Sequence, residues 1–481
     1  MPDRQPDNVQ FLLNDQQVSI SRVRADQTLL TYLREQQQLT GTKEGCAEGD
    51  CGACTLLVGR LLRGQLVYES VNACIRLLAS VHACHVVTIE YLQSTDDDTS
   101  GHSLHPVQQA MVDEHGSQCG FCTPGIVMSL YALWLNESAP DEQTIKRSLQ
   151  GNLCRCTGYA PIIRAAQSAA RVEMRNKDKL YVNGKSVTEQ LARMESVEPL
   201  QFSDGKSYWF RPATLDDAAE ALKHNKTATV LAGSTDVGLW VTKSFRNISP
   251  VVSISHLDDL HEITIGDDSI TLGACVTYSE AANVLLTEIP ALSEYWYRIG
   301  GEQVRNMGTV GGNVANGSPI GDTPPVLLAL GATLLLRSAN GTRTLPINEY
   351  FIDYGVQNRQ ADEFIQSLKI PLPSAASRFA AYKISKRRDE DISSVCCAYN
   401  LTVEDEKVSD IKIAYGGMAG IPKRAQATEQ LLLGKPWQQN TINAACDSLR
   451  DEFTPLSDWR ASATYRQEVC ANLLQRFFND Y

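Results

Sequence analysis

Over residues 8–90, apolar and polar positions alternate in short runs. VQFLLNDQQVSI reads as two strands parted by a polar Asn-Asp turn. In TLLTYLREQQQL, residues 28–39, Leu29, Leu30 and Leu33 fall at helical spacing. A strand pair follows around LLVGRLLRGQLVYES, and VVTIEYL closes the run. The pattern predicts a small mixed sheet with one helix. Residues 104–174 change period. LHPVQQAMVDEHG, PGIVMSLYALWLNE, DEQTIKRSLQGN and YAPIIRAAQSAARV are four helical patterns. Pro124 stands near the start of the second, where its missing N–H costs little. Asp141 is placed to cap the third. Residues 175–205 are polar and read as an irregular linker. From 207 to about 373, strand-like ATVLAG, VVSISH and SITLGA alternate with the helical DDAAEALKHN. PLPSAASR, residues 371–378, marks a boundary. Beyond it come strands (AYKI, SSVCCAYNLTV, VSDIKIAYGG) and then helices (NAACDSLRDE, TYRQEVCANLLQRFF), an α+β order.

The chain has 481 residues. At roughly 100–200 residues per domain this predicts three or four domains. No apolar run is long enough to span a membrane, and MPDRQPDNVQFLLND lacks the layout of a secretory signal. The expected location is therefore the cytoplasm. Lys and Arg total 44 against 56 Asp and Glu, a net charge of −12. That excludes a non-specific nucleic-acid binder, which needs clustered cations. The one basic run, SKRR at 385–388, is followed at once by DED.

Cysteine changes the picture most. Of 14 cysteines, nine lie in the first 156 residues. In a reducing compartment, such grouping points to metal rather than to disulfides. Cys46, Cys51 and Cys54 are spaced C-x4-C-x2-C, and Cys74 follows after 19 intervening residues. That is the spacing of a plant-type 2Fe–2S site. Gly45, Gly49 and Gly52 let the backbone fold tightly around a cluster and aim N–H groups at its sulfurs. Zinc is the competing reading, but its ligands usually come as two short knuckles. Cys119 and Cys122 form C-x2-C, and Cys154 and Cys156 form C-x-C, each pair at the end of a helical pattern. Two such loops together supply four thiolates, and helix N-termini favour anions. On spacing alone, zinc and a second cluster both remain open for this set. Cys84, Cys275, Cys396, Cys397, Cys446 and Cys470 are not in ligand spacing. Cys84 lies in HACH with His82 and His85. A core thiol flanked by surface histidines is expected there, with a metal site as the alternative.

Two glycine-rich stretches, VLAGSTDVG (230–238) and NMGTVGGNVANGSPIGDTPP (306–325), can bring backbone N–H groups to a pyrophosphate. Neither is G-x-G-x-x-G, so a Rossmann domain is not predicted. A turn-rich surface loop is the plainer reading of each. YKISKRRDEDIS (382–393) mixes both charge signs and reads either as a solvated face or as a site.

Taken together, EGDCGAC, QCGFCTPG and GNLCRCTGY resemble the two-cluster iron–sulfur module of the molybdenum hydroxylases. The glycine-rich stretches resemble the non-Rossmann FAD-binding domain of the same family. The resemblance implies a multidomain α+β fold: a β-grasp ferredoxin-like domain (1–92), a four-helix iron–sulfur domain (93–175), a linker (176–205), an α+β FAD-binding domain (206–375) and an α+β C-terminal domain (376–481). It implies a second 2Fe–2S cluster on Cys119, Cys122, Cys154 and Cys156, next to a molybdopterin, with Gln118 matching the family Gln that hydrogen-bonds the pterin. It implies FAD held by Val230, Leu231, Ala232, Gly233, Ser234, Thr235, Asp236 and Val237, then by Thr309, Val310, Gly311, Gly312, Asn313 and Asp322, with Ile365 and Lys383 as further contacts. Ile299 stands where animal members have Phe, and Asn316 replaces a common Thr. Tyr354 aligns with a residue near the nicotinamide nucleotide. Arg387, Glu390 and Asp391 lie in a loop that approaches the flavin ring.

The order of modules resembles the front of the purine-oxidising members, the xanthine dehydrogenases. No molybdenum-cofactor domain is recognised, so a separate large subunit is expected, in a heterotetramer of two small and two large chains. The implied work is relay of electrons from molybdenum through two 2Fe–2S clusters to FAD and on to NAD+, as hypoxanthine and xanthine become urate. No side chain here is expected to act as general acid or base on that substrate. Oxygen in place of NAD+, or another heterocycle or aldehyde as substrate, is equally compatible with the sequence.

Overall fold

A computed structural model describes residues 6–92, 104–172 and 175–481. The expected start of the helical domain at 93 lies outside the described residues. The chain divides into two compact units, residues 1–258 with 300–308, and residues 259–299 with 309–481.

The first unit opens with a five-stranded sheet ordered Gln16–Ile20, Val9–Leu13, His85–Val87, Thr55–Leu62, Gln65–Asn72. Only the Val9–Leu13/His85–Val87 pairing is parallel, which makes the sheet mixed. The expected helix at 28–39 is one α turn, Leu29–Thr31, capped by Thr28, that widens into a π-type turn at Tyr32–Gln36. Leu29, Leu30, Tyr32 and Leu33 are buried beneath it. VVTIEYL is strand only over His85–Val87, and a 3-10 turn, Ile89–Leu92, completes it.

All four helices expected in the next region form: Pro106–Asp113, Thr123–Asn136, Glu142–Ser148 and Ala160–Ala170. Pro124 occupies the first turn of the second. The Asp141 side chain accepts the Thr144 N–H at 2.7 Å. The segment expected to be irregular is not. Helices Lys179–Val182 and Gly184–Met194 and strand Leu200–Ser203 run through it. Val187, Leu191 and Met194 form the buried stripe of the second of these helices. A smaller sheet follows, ordered Leu200–Ser203, Tyr208–Arg211, Val251–Ser253, Thr229–Leu231, with its last three strands parallel. Helix Leu215–His224, started by a Thr214/Asp217 capping box, makes one crossover.

The second unit holds an antiparallel sheet ordered Ile263–Ile265, Ser269–Gly273, Phe364–Pro371, Thr333–Ser338, Gly341–Pro346. It also holds an antiparallel meander, Ser377–Ile384, Val395–Glu404, Lys407–Gly416 and Lys423–Arg424. Helices Gln426–Leu432, Gln439–Glu452 and Ala463–Asp480 pack with the meander around Tyr399, Tyr415, Leu449 and Phe477. No helix among the described residues is long and apolar enough to cross a membrane.

Candidate functional site

The loop between the Leu29–Gln36 turn and strand Thr55–Leu62 gathers the first cysteine set. Cys54 Sγ lies 3.2 Å from Cys74 Sγ, and both residues are buried. The Glu48 and Cys51 N–H groups each donate to Cys46 Sγ at 3.4 Å. The four thiols all act on one another's protonation. Those of Cys51 and Cys74 hold Cys46 far below the ordinary thiol range, and Cys46 pushes Cys51 far above it. Cys54 is held down first by Cys74, while Cys74 is pushed up by Cys46 and Cys54. A loop that keeps some of its sulfurs as thiolate suits a metal. Lys243 Nζ donates to the Cys46 carbonyl at 2.5 Å and closes the loop from outside.

The second set meets where helix Thr123–Asn136 begins and the 151–159 loop ends. Cys122 is the N-cap of that helix. Its thiol is pushed up to about 12, first by burial and then by the thiol of Cys154. The Cys156 thiol is pushed up first by that of Cys119. The four thiols thus act on one another at one place. The Cys154 N–H donates to Tyr159 Oη at 2.8 Å, and Cys154 Sγ lies 3.2 Å from Thr157 Oγ1. Each iron of a 2Fe–2S cluster takes two cysteines, whereas a structural zinc gathers four around one point. The donor set, four cysteines from two loops, fits either arrangement. Gln118, beside Cys119, is exposed.

The two sets are joined. The Leu153 N–H donates to the Cys51 carbonyl at 3.0 Å, so the neighbour of Cys154 is bonded to a member of the first set. Gly52 makes this approach possible. Its φ is +67°, and a Cβ there would lie 2.1 Å from the Gly151 carbonyl oxygen.

The first glycine-rich stretch leaves the carboxyl end of parallel strand Thr229–Leu231, the usual ligand end of such strands. Leu231 is buried in the core of the first unit, so its side chain is structural. Ser234, at φ +60°, donates its hydroxyl to the Ile75 carbonyl at 2.9 Å, one residue past Cys74. Gly233 packs on the Met307 carbonyl. Asp236 and Val237 lead into helix Val237–Thr242.

The second stretch lies in the second unit. Thr309 caps helix Val310–Asn316 by accepting the Gly312 N–H at 3.0 Å. Asn313 Oδ1 accepts from Thr323 Oγ1 at 2.8 Å. Asp322 and Lys383 form a buried ion pair at 2.6 Å. Ser393 Oγ donates to the other Asp322 oxygen at 2.5 Å, and Tyr295 Oη donates to the Asp322 carbonyl at 2.6 Å. The Arg298 guanidinium caps the Lys383 carbonyl at 2.6 Å and the Arg388 carbonyl at 3.1 Å. Ile299 and Ile365 are both buried in the apolar core of this unit. The Asn316 carbonyl lies 3.4 Å from Gln357 Nε2. Tyr354 is 73% exposed on a turn. In the charged loop, Asp391 accepts the Arg387 N–H at 2.7 Å, and Glu390 is buried at φ +50°.

In HACH both histidine rings are engaged by the protein itself. His82 accepts the Gln10 N–H and bonds the Met194 carbonyl, and His85 bonds Tyr68 Oη and the Asn14 carbonyl. Both rings are buried, not on the surface as expected, and Cys84 is a core thiol. Sequence reasoning passed over Asn152, Ser129, Gln303 and Ser393. Their partners lie far away in the chain, and no local spacing announces them.

Residues 11–77 match a 2Fe-2S iron-sulfur cluster binding domain, and 88–167 match a 2Fe-2S binding domain. Residues 200–373 match the FAD binding domain in molybdopterin dehydrogenase, and 380–481 match the CO dehydrogenase flavoprotein C-terminal domain. The chain is 33% identical to the xanthine dehydrogenase of Drosophila subobscura, over 96% of this chain and 38% of that protein. It is 31% identical to the xanthine dehydrogenase of Emericella nidulans, over 98% of this chain and 38% of that protein. It therefore spans 38% of the length of these relatives. Among solved structures it is similar to a carbon monoxide dehydrogenase of Hydrogenophaga pseudoflava lacking the Mo-pyranopterin moiety of its cofactor. That match has a TM-score of 0.54 and 26% identity, over 56% of this chain and 95% of that one.

Proposed function

We propose that this chain, with its two iron–sulfur and two flavoprotein domains, belongs to the molybdenum hydroxylase family and is the iron–sulfur and FAD subunit of a xanthine dehydrogenase. The observation that carries the reading is the packing of both thiol sets and the first glycine-rich loop within one unit of one chain, with Ser234 on the Ile75 carbonyl next to Cys74. Likeness to xanthine dehydrogenases extends over 96% of this chain, and the carbon monoxide dehydrogenase chain is matched over 95% of its own length.

In this reading Cys46, Cys51, Cys54 and Cys74 hold one 2Fe–2S cluster, and Cys119, Cys122, Cys154 and Cys156 the other. FAD is assigned unit by unit: to the loop at 230–237 in the first, and to the loop at 309–313 with Asp322 and Lys383 in the second. When bound, the clusters would supply one-electron chemistry, and FAD two-electron hydride chemistry toward NAD+. The chain's own work is to hold the thiolates together, exclude water from Cys54 and Cys74, and keep the Lys383 ammonium fixed on Asp322. Tyr354 is assigned to the nicotinamide nucleotide and Gln118 to a molybdopterin on the partner. The partner is a larger molybdenum-cofactor chain, in a heterotetramer of two small and two large subunits in the cytoplasm.

The test is to purify the chain with whatever accompanies it in its host and to assay xanthine-dependent reduction of NAD+. Turnover with a molybdenum-containing partner supports the reading. If NADH bleaches the flavin while xanthine and hypoxanthine do nothing, the subunit serves another molybdenum hydroxylase, acting on a different heterocycle or aldehyde.

A further inference from the structure

Residues 300–308 fold with the two cysteine modules although they come much later in the chain. Gln303, on helix Glu302–Met307, is 1% exposed. Its Nε2 lies 3.1 Å from Thr55 Oγ1, 3.0 Å from Ser129 Oγ and 2.9 Å from Asn152 Oδ1. Each partner belongs to a different piece of the two sites. Thr55 follows Cys54. Ser129 is on the helix that Cys122 caps. Asn152 stands two residues before Cys154. These partners are also bonded to one another. Ser129 Oγ donates to Asn152 Oδ1 at 2.7 Å, Asn152 Nδ2 to the Gly52 carbonyl at 3.2 Å, and Thr55 Oγ1 to the same carbonyl at 2.6 Å.

The other end of the Gln303 side chain shows what it is for. Its Oε1 is buried and accepts no hydrogen bond among the described residues. A Cβ on Gly151 would lie 1.9 Å from it. A leucine would fill the same space without leaving a buried carbonyl unpaired, so stability alone does not call for glutamine here. What glutamine adds is a two-donor group within reach of three oxygens from three segments, and a fully buried polar junction fixes geometry.

We propose that Gln303 is a positioning residue for electron transfer between the two clusters. It clamps the loop of Cys51 and Cys54 against the loop of Cys154 and Cys156, and so fixes the gap bridged by the Leu153 N–H and the Cys51 carbonyl. The inference rests on the iron–sulfur assignment above. In the step it serves, one electron leaves the reduced second cluster and reduces the oxidised first one. No bond forms or breaks and no proton moves, so separation and contact between the loops govern the rate.

The test compares Gln303→Leu with Asn306→Leu in the full chain purified with its native complement of iron. Asn306 is on the same helix and donates to the Ser70 carbonyl at 2.9 Å, away from the junction. Iron and sulfide analysis of the unsubstituted protein checks the assignment first. A protein without two clusters overturns the assignment and this inference with it. With both clusters present, the low-temperature paramagnetic resonance of the fully reduced protein reads the spin–spin splitting between them. Pulsed one-electron injection reads the transfer rate. The expected result is that Gln303→Leu keeps each cluster's own spectrum but loses the native splitting and slows transfer, while Asn306→Leu changes neither. Native splitting and rate in Gln303→Leu, or equal changes in both variants, would overturn the inference. Gln303→Met, closer in shape, takes the place of Gln303→Leu if that variant does not fold, and is read by the same two outcomes.

Discussion

Replacing Gly52 by alanine tests the close approach of the two cysteine loops. Two separate penalties act there. The backbone sits at φ +67°, and a left-handed L-residue costs roughly 1–2 kcal/mol. The new Cβ would also meet the Gly151 carbonyl oxygen at 2.1 Å and Asn152 Nδ2 at 2.6 Å. Backbone on both sides must shift, and overpacking of this kind costs about 1–3 kcal/mol. The expected loss for Gly52→Ala is the sum, about 2–5 kcal/mol.

Two controls separate the penalties. Gly64 is at φ +78° with nothing within 4 Å of a new Cβ, so Gly64→Ala should cost only the backbone share, about 1–2 kcal/mol. Gly125 is helical, and its Cβ would meet the Gly52 carbonyl oxygen at 2.2 Å. Gly125→Ala pays the overpacking and regains about 1 kcal/mol of helix propensity, leaving about 0–2 kcal/mol. The assay is urea unfolding of the full chain, followed by visible absorbance of the iron–sulfur sites, with iron counted in each purified variant. Equal losses from Gly52→Ala and Gly64→Ala would refute the reasoning, because the contact with Gly151 would then carry no weight.

Three further outcomes are expected. Burial holds the His82 and His85 rings down to about 4 against an ordinary 6.5. The unfolded chain binds more protons between those values, so their contribution is complete above about pH 6.5 and is lost as pH falls toward 4, about 3 kcal/mol for each ring. His82→Gln/His85→Gln should therefore flatten the fall in urea midpoint between pH 7 and pH 5 (about the window in which an ordinary imidazole titrates). Lys383→Met strands the buried Asp322 carboxylate and should cost about 3–5 kcal/mol, whereas adding Asp322→Asn should recover part of it; urea midpoints and flavin content of the two variants check this. Cys54→Ser and Cys122→Ser should each leave about two of four irons and erase a different one of two resonance signals; one substitution emptying both sites would show that the sets are not independent.

What the sequence revealed depended on how local each cause is. Cluster chemistry demands several thiolates within a short loop, so Cys46, Cys51 and Cys54 announce their site by spacing alone. Helix starts are equally local, and Pro124 and Asp141 do what their positions predict. Helix Gly184–Met194 was hidden because its buried stripe is only Val187, Leu191 and Met194 amid polar neighbours. His82 and His85 were expected at the surface although Val81, Val86 and Val87 flank them, because the groups that pair with their rings are not local. Their cover and partners come from Met194, Gln10, Tyr68 and Asn14. The flavin region reads as one domain along the chain, yet residues 300–308 fold with the first unit, and only long-range packing decides that. Gln303 is the extreme case, bonded to a residue 248 positions away.

Exposure gives the thiols of the first unit an order that spacing alone does not. Cys119 and Cys156 are exposed, Cys122 and Cys154 half-buried, Cys46 and Cys51 half-buried, and Cys54 and Cys74 buried. One residue beyond Cys74, the Ile75 carbonyl takes the Ser234 hydroxyl of the first glycine-rich loop. The sulfurs thus run from the surface inward and finish against a loop suited to flavin. The second set lies on a face where Gln118, Phe121 and Leu153 are also exposed. Burial of Cys54 and Cys74 keeps water from the inner end of that order.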